Sequence, residues 1–503
     1  MKKTSIKFSL GCLLAVSIAL SSCDKYLDIN TDPDNIVSSN APLAQLLTSA
    51  QVNVGFEGGS DLFRFSNLIT QSISGQASQP NQTYDYDRYN ITSTDANNLW
   101  TSYNAQSLSD IELIISNAKT TNSPYYSGIA KVLKAYEYQL LVDAFGDIPF
   151  SEAQQLDKNV SPKYDKGADI YKALITILTE ATAELNAPTS ALVPGSNSVI
   201  YPGNYTTVKN NYIKLANTLK LRILLHYSKL DRPFLVSQMN ALIAAGSPLM
   251  AAPADNFQMA FRPLPSATNP IHQFENSRRD YLFAANKLVT LMNNKNDPRR
   301  PSYFTPFPFN SSPATYKGVS AGDATTINYS RLHTYLRGIA SGNPTPNVAG
   351  GIASSALTYT GDAPIRMLTY AEYCFIRAEA ALYGVTGDAQ AFFTQGITAN
   401  MQDAGVSAAN IAAYLTVNGT LAGSVQQQLE KIIEEKFVAL YGVTMESWTD
   451  YRRTGFPILT VPSNAVITSV PRSLFYPQSE TDLNPNAPKQ KASMSERVFW
   501  DTP

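Results

Sequence analysis

The chain has 503 residues, Lys+Arg 39 against Asp+Glu 40, a formal net charge of -1 and 16% charged residues, against a usual ~25%. That length excludes a disulfide-stapled miniature scaffold and suggests, as a soft prior, about three domains' worth of chain; the charge balance excludes a polyanion-binding surface, so no nucleic-acid partner is expected. With 44% hydrophobic residues, 28 Tyr and 30 Pro, the chain can bury a core and still present a surface of Asn, Ser, Thr, Gln and Tyr, suited to neutral polar ligands.

Lys2, Lys3 and Lys7 precede an apolar run from Phe8 to Leu20, which is too short for a helix to cross a ~30 Å hydrocarbon core and reads as an export signal. Leu20-Ser21-Ser22-Cys23 follows, similar to the processing box of bacterial lipoproteins, and implies a signal over residues 1–22 and a lipidated Cys23 carrying acyl chains such as palmitate. Several acyl chains, each CH2 contributing ~0.8 kcal/mol when buried, hold a protein at a membrane without a spanning helix. Cys12 leaves with the signal and Cys23 is acylated, so Cys374 is the one remaining thiol and no intrachain disulfide is expected. Residues 23–40 are polar and turn-rich and read as a tether, leaving 41–503 as the folded domain.

Helices dominate the reading of that domain. Ile129, Val132, Leu133, Tyr136, Leu140 and Ala144 recur at helical spacing, as do Ile170, Leu174, Ile177, Leu178, Ala181 and Leu185. Val208 to Tyr227 and Leu429 to Tyr441 repeat the pattern, and the small residues of 371–382 predict a helix that a neighbour approaches closely, ending at Gly384. Strand signals are sparse. The expected fold is mainly α, with helix pairs stacked like a tetratricopeptide solenoid though without its clean 34-residue repeat. Residues 55–98, 250–280, 298–362 and 455–503 read as long loops rich in Pro, Gly, Asn and aromatic residues, and loops of that length are usually functional.

Several segments, taken in order, resemble the SusD-like (starch-utilisation-system D, also RagB-type) outer-membrane lipoproteins of Gram-negative bacteria. After the lipobox come Asn30-Thr31-Asp32-Pro33-Asp34-Asn35, the run Asp143-Ala144-Phe145-Gly146-Asp147-Ile148-Pro149-Phe150, and Asn296-Asp297-Pro298-Arg299. Then follow Leu368-Thr369-Tyr370-Ala371-Glu372 with Glu379, Glu435-Lys436-Phe437, Trp448 to Pro457, and Pro471-Arg472 with Tyr476-Pro477. Phe150 stands where Tyr is usual in the family, and Phe437 where Trp is common. The resemblance implies a tetratricopeptide-like helical scaffold with a loop-built ligand face, and a surface-exposed lipoprotein that binds an oligosaccharide or polysaccharide. It also implies delivery of that ligand to a TonB-dependent (SusC-like) outer-membrane transporter, with a RagB-type peptide binder as the alternative. Asp143, Asp147, Glu372, Glu379, Glu435, Arg452 and Arg453 are expected to be scaffold, because buried polar networks specify geometry.

Catalytic readings are weaker. Gly318-Val319-Ser320-Ala321-Gly322 matches a nucleophile elbow, but its flanks are not the strand and helix that an elbow needs. Asp28 to Asp34 alternates oxygens like the start of a calcium loop, with Pro33 where Gly must turn. His226, His272 and His333 show no zinc spacing, and nothing singles out a carboxylate pair for glycoside hydrolysis, so no cofactor, no metal and no enzymatic turnover are expected, a secreted hydrolase being the least favoured reading. The ligand face is expected mainly from 55–104 and 250–362. Candidate ligand-binding residues are Tyr84, Tyr86, Tyr89, Trp100 and Asn104, then Asn276, Arg279, Tyr281, Tyr303 and Phe304: rings that pack on sugar C–H faces beside amides and charges that bond hydroxyls.

Overall fold

The computed structural model describes residues 41–75, 82–155, 158–323 and 326–503. The signal, Cys23, the Asn30–Asn35 motif and the oxygen-rich run at 28–34 lie outside the described residues.

The chain is mainly helical. Its first part holds α1 (Leu43–Glu57), α2 (Asp61–Ile69), α3 (Gln82–Asp87), α4 (Ala96–Thr101), a π-helical turn at Ser102–Ser107, and α5 (Leu108–Thr120). The long helices α6 (Pro124–Phe145), α7 (Gly167–Leu185) and α8 (Tyr205–Leu225) follow, then α9 (Arg232–Ala244). Shorter α10 (Pro270–Ser277), α11 (Asn286–Asn294), α12 (Arg300–Tyr303) and α13 (Thr334–Arg337) sit among loops. The last group is α14 (Tyr370–Leu382), α15 (Ala389–Asp403), α16 (Ala408–Asn418), α17 (Val425–Ala439), α18 (Glu446–Thr454) and α19 (Gln478–Leu483). Sequential helices pack in a row: α1 on α5, α5 on α6, α6 on α7 and α7 on α8, with α14 bridging α8 to α15 and α17. That is the stacked-pair scaffold expected from the periodicity, and no described helix is long and apolar enough to cross a membrane.

Close approach explains the tightest pair. A Cβ at Gly128 in α6 would lie 2.8 Å from Leu185 Cγ and 2.9 Å from the Ala181 carbonyl of α7, so only glycine admits this contact. Between α14 and α15 the small residue sits on the second helix, where Gly396 meets the Phe375 ring. α14 ends as its sequence predicts: Gly384 takes φ +99°, its N–H donates to the Ala381 carbonyl at 3.2 Å, and the Val385 N–H donates to Ala380 at 3.1 Å.

Of the four segments read as loops, 55–98 is corrected most. It contains α2 and α3, and Leu62, Phe63, Phe65, Leu68 and Ile69 are buried in the main core. Residues 455–503 remain largely irregular apart from α19. Short antiparallel strand pairs tie loops to helices, and one decides the position of the candidate site. Ile73–Gly75 pairs with Leu282–Ala284, which seats α10 beside α2 and α4 although about 200 residues of chain separate them.

Candidate functional site

The groove formed by this pairing has a volume of ≈ 530 Å³ and is walled by the end of α1 and by α2 (Phe56 to Arg64), by α4 and the π-turn (Asn98 to Gln106), and by α10 (Pro270 to Ser277). The lining residues lie in 56–103 and 270–277, with Gln106 just beyond the stretch 55–104. Phe56, among its lining residues, is 40% exposed. In the same groove the Arg64 guanidinium lies 4.4 Å from the centroid of the Phe274 ring and pairs with Asp61. Asn98, Ser102, Gln106, Gln273 and Ser277 add amides and hydroxyls, so the groove presents aromatic faces interleaved with neutral donors and acceptors. Glu57 closes the floor; burial pushes its carboxyl up to about 7, with hydrogen bonds from its neighbours opposing the rise.

A second groove of ≈ 560 Å³ lies between Gln71, Asn286, Lys287, the loop Val319–Asp323 and the loop Thr460–Asn464. It has no aromatic wall. Its Ser320 belongs to the elbow-like pentapeptide, whose Val319 bridges to Ala285 in a loop with no helix after it, so the elbow geometry is not formed.

The structure separates the sequence candidates into three groups. Tyr86, Tyr89, Tyr303 and Phe304 are buried at 2% or less and are corrected from ligand-facing to core. Tyr86 packs edge-on against Phe65 and donates to Asp95 at 2.9 Å, and the Tyr89 hydroxyl accepts from Gln71 at 3.2 Å. Tyr303 stacks on Tyr441 at 4.8 Å and donates to the Val438 carbonyl. Trp100 is corrected too: its ring is 6% exposed, edge-on to Phe145 at 5.5 Å and parallel to Tyr164 at 6.5 Å, so it backs the wall that α4 contributes.

The second group flanks the first groove without lining it. Asn104 donates to the Trp100 carbonyl and accepts from Gln154, while Asn276 meets His272 Nε2 at 2.7 Å. Tyr281 packs edge-on against Phe274, and Arg279 is exposed just past α10. The third is Tyr84, whose hydroxyl accepts from Asn464 at 3.0 Å beside the second groove. Phe56, Arg64, Gln106, Gln273 and Phe274 were not singled out from the sequence. Most of them lie in the stretches 55–98 and 250–280 that read as loops, and the strand pairing at 73–75 and 282–284 brings Gln273 and Phe274 to the others.

The motif carboxylates form a buried ionic lattice beneath the helices. Arg222 donates to both oxygens of Glu372 at 2.8 Å, and Arg299 bonds Asp297, Glu435 and Asn400. Arg453 pairs with Glu379 and Asp450, and Arg452 donates to the carbonyls of Asp143 and Arg472. Asp143, His226 and Glu446 converge closely enough to suggest a metal site. Their atoms are already engaged, however: Gln139 and Trp500 donate to Asp143, Tyr171 meets His226 Nδ1 at 2.8 Å, and Arg222 stands 3.6 Å from Glu446. This trio belongs to the scaffold.

Comparison with known proteins agrees with this architecture. A family model described as SusD-like, starch-binding associating with outer membrane, matches residues 33–477. The chain belongs to the SusD-like family. Solved structures with the same fold include a chitin-binding protein at 24% identity, TM-score 0.74, covering 91% of this chain and 100% of its own. A SusD homologue from Bacteroides uniformis matches at 22% identity and TM-score 0.70 over 91% of this chain and 99% of its own. A chitin-binding SusD homologue from Flavobacterium johnsoniae matches at 21% and 0.72 over 92% and 98%. A search of curated protein sequences returned no match.

Proposed function

We propose that this protein is a lipid-anchored outer-membrane lipoprotein that captures an oligosaccharide in the groove between α1, α2, α4 and α10 and passes it to a TonB-dependent, SusC-like transporter. The observation that carries the reading is the groove's composition: an exposed Phe56 and a Phe274–Arg64 stack in one groove, with neutral amides and hydroxyls among its lining residues. Ring faces pack on sugar C–H surfaces, and amides discriminate hydroxyl positions without the desolvation cost of buried charge. Family membership, and the chitin-binding function named for two structures of this fold, support a glycan ligand.

Binding in such an open groove is non-covalent, which suits capture followed by release. In this reading residues 1–22 are removed, Cys23 carries the acyl chains, 23–40 tether the domain and 41–503 form it. Calorimetric titration of chito-oligosaccharides and malto-oligosaccharides, with a peptide library as the parallel arm, tests the ligand class. Saturable glycan binding that Phe56→Ala weakens about tenfold, about 1.4 kcal/mol, supports the assignment. Peptide binding alone, or release of shortened sugars, would replace it by the peptide-capturing or the hydrolytic reading. Loss of membrane attachment in Cys23→Ser checks the anchor.

A further inference from the structure

Directly under the groove floor two acids face each other with no base between them. Glu57 ends α1 and Glu137 lies in the middle of α6; they are 2% and 0% exposed, and neither has an ion-pair partner among the described residues. Ser107, the last residue of the π-turn, stands between the two carboxyls, and the buried Tyr103 hydroxyl lies in the field of both. Ser102 Oγ donates to Glu57 Oε1 at 2.9 Å. Beyond that bond, Glu57 Oε2, both Glu137 oxygens and Ser107 Oγ are fully enclosed and close enough to interact with one another, but none has a well-aligned hydrogen bond among the described residues, and Tyr103 OH has none at all.

Such a cluster departs from the rule that buried polar atoms are satisfied, and two adjacent buried carboxyls cannot both be ionised: either they hold a proton between them or a cation joins them, and a bound cation also satisfies the Ser107 and Tyr103 hydroxyls. The donor set is all oxygen, with no nitrogen or sulfur, which selects a hard cation. Two carboxylates match a divalent charge. Calcium accepts about 6–8 oxygens in irregular geometry, including bidentate carboxylates, whereas magnesium requires a near-ideal octahedron and keeps several waters. A π-turn at this point is also telling: its wider ring brings Ser102 and Ser107 to the same side of the chain, and such turns recur at functional sites.

We propose that Glu57 and Glu137, with Ser107 and Tyr103, form a calcium site that ties α1, the π-turn and α6 together beneath the groove. The site needs no assumption about which ligand the groove takes. Its occupancy would fix the relative positions of Phe56, on α1, and of Ser102 and Gln106, on the π-turn.

The test uses the full-length lipoprotein in detergent, stripped with a chelator and then titrated with calcium chloride at pH 7.5. Elemental analysis is expected to find one calcium per chain after dialysis, and a hundredfold excess over Kd is expected to raise Tm by roughly 3 °C. Glu137→Gln is expected to lose both the ion and the shift. Ser107→Ala, which keeps both carboxyls and preserves folding should the first variant fail, is expected to weaken calcium binding roughly tenfold, by loss of one ligand. A Tm indifferent to calcium and to chelator would overturn the site. So would calcium binding that survives in both variants.

Discussion

The ionic lattice and the groove use polar residues in opposite ways. In the lattice, Arg222, Arg299 and Arg453 are fully buried, and each is clamped by carboxylates from distant parts of the chain. In the groove, Asn98, Gln106 and Ser277 are exposed and the one charged pair, Asp61 with Arg64, lies along an aromatic ring. The first arrangement fixes where helices sit; the second leaves hydrogen-bonding capacity free for a ligand. A substitution in the lattice should therefore change stability, and one in the groove should change affinity.

The largest expected effect follows from leaving buried charge uncompensated. Arg453→Ala leaves Glu379 in the core without its cationic partner, while Asp450 keeps Lys436 at 2.8 Å, and should cost about 3–5 kcal/mol in urea denaturation, enough to unfold a marginal protein. Trp100→Ala removes the ring that Phe145 and Tyr164 pack against; it should cost about 3–5 kcal/mol of stability, and any loss of glycan affinity should follow from the displaced wall. A Trp100→Ala protein of unchanged stability and lost affinity would place that ring in the site itself.

Acid should act on the lattice next. Burial pushes the Glu435 carboxyl up, but Lys295 and Arg299 outweigh this, with a hydrogen bond from Tyr414 adding to them, and bring it down to about 2. A depressed carboxyl contributes stability that is fully present above its unfolded value near 4.5 and is lost as pH falls toward about 2. Thermal melts between pH 5 and pH 2.5 should show this loss in the wild-type protein, and a shallower pH slope in Glu435→Gln on a lower baseline. The smallest effect is expected at the groove, where Phe56→Ala should leave Tm within about 1 °C while weakening glycan binding, since an exposed ring contributes little to the core.

What the sequence made legible divides along the same line. The long helices and their order could be read because a 3.6-residue apolar spacing survives over five turns, as in α6 and α7. The motif acids and arginines could be read as scaffold, although their pairing could not: Arg299 and Glu435 are 136 residues apart, and nothing local announces the contact. The Tyr-rich run at 84–89 shows why the site was harder. Alternating Tyr and Asp in a turn-rich stretch resembles a ligand loop, yet this run forms α3, and its helical geometry sends Tyr86 and Asp87 inward, where Asp87 accepts from Ser74 at 2.8 Å and from the Gly322 N–H. Trp100 gave the same signal for the same reason, a large ring close to a polar one. Phe56 and Phe274 carried no residue-level signal, because what brings Phe274 to Phe56 is a strand pairing between residues about 200 positions apart.

In the proposed complex the glycan lies against Phe56 and Phe274. A crystal structure of the complex with an oligosaccharide selected by the binding panel tests it most directly. Sugar rings are expected over Phe56, with hydroxyls bonded to Asn98, Gln106 or Gln273; a glycan seated between Tyr84, Ser320 and Asn464 in the second groove, with the first left empty, would rule this out.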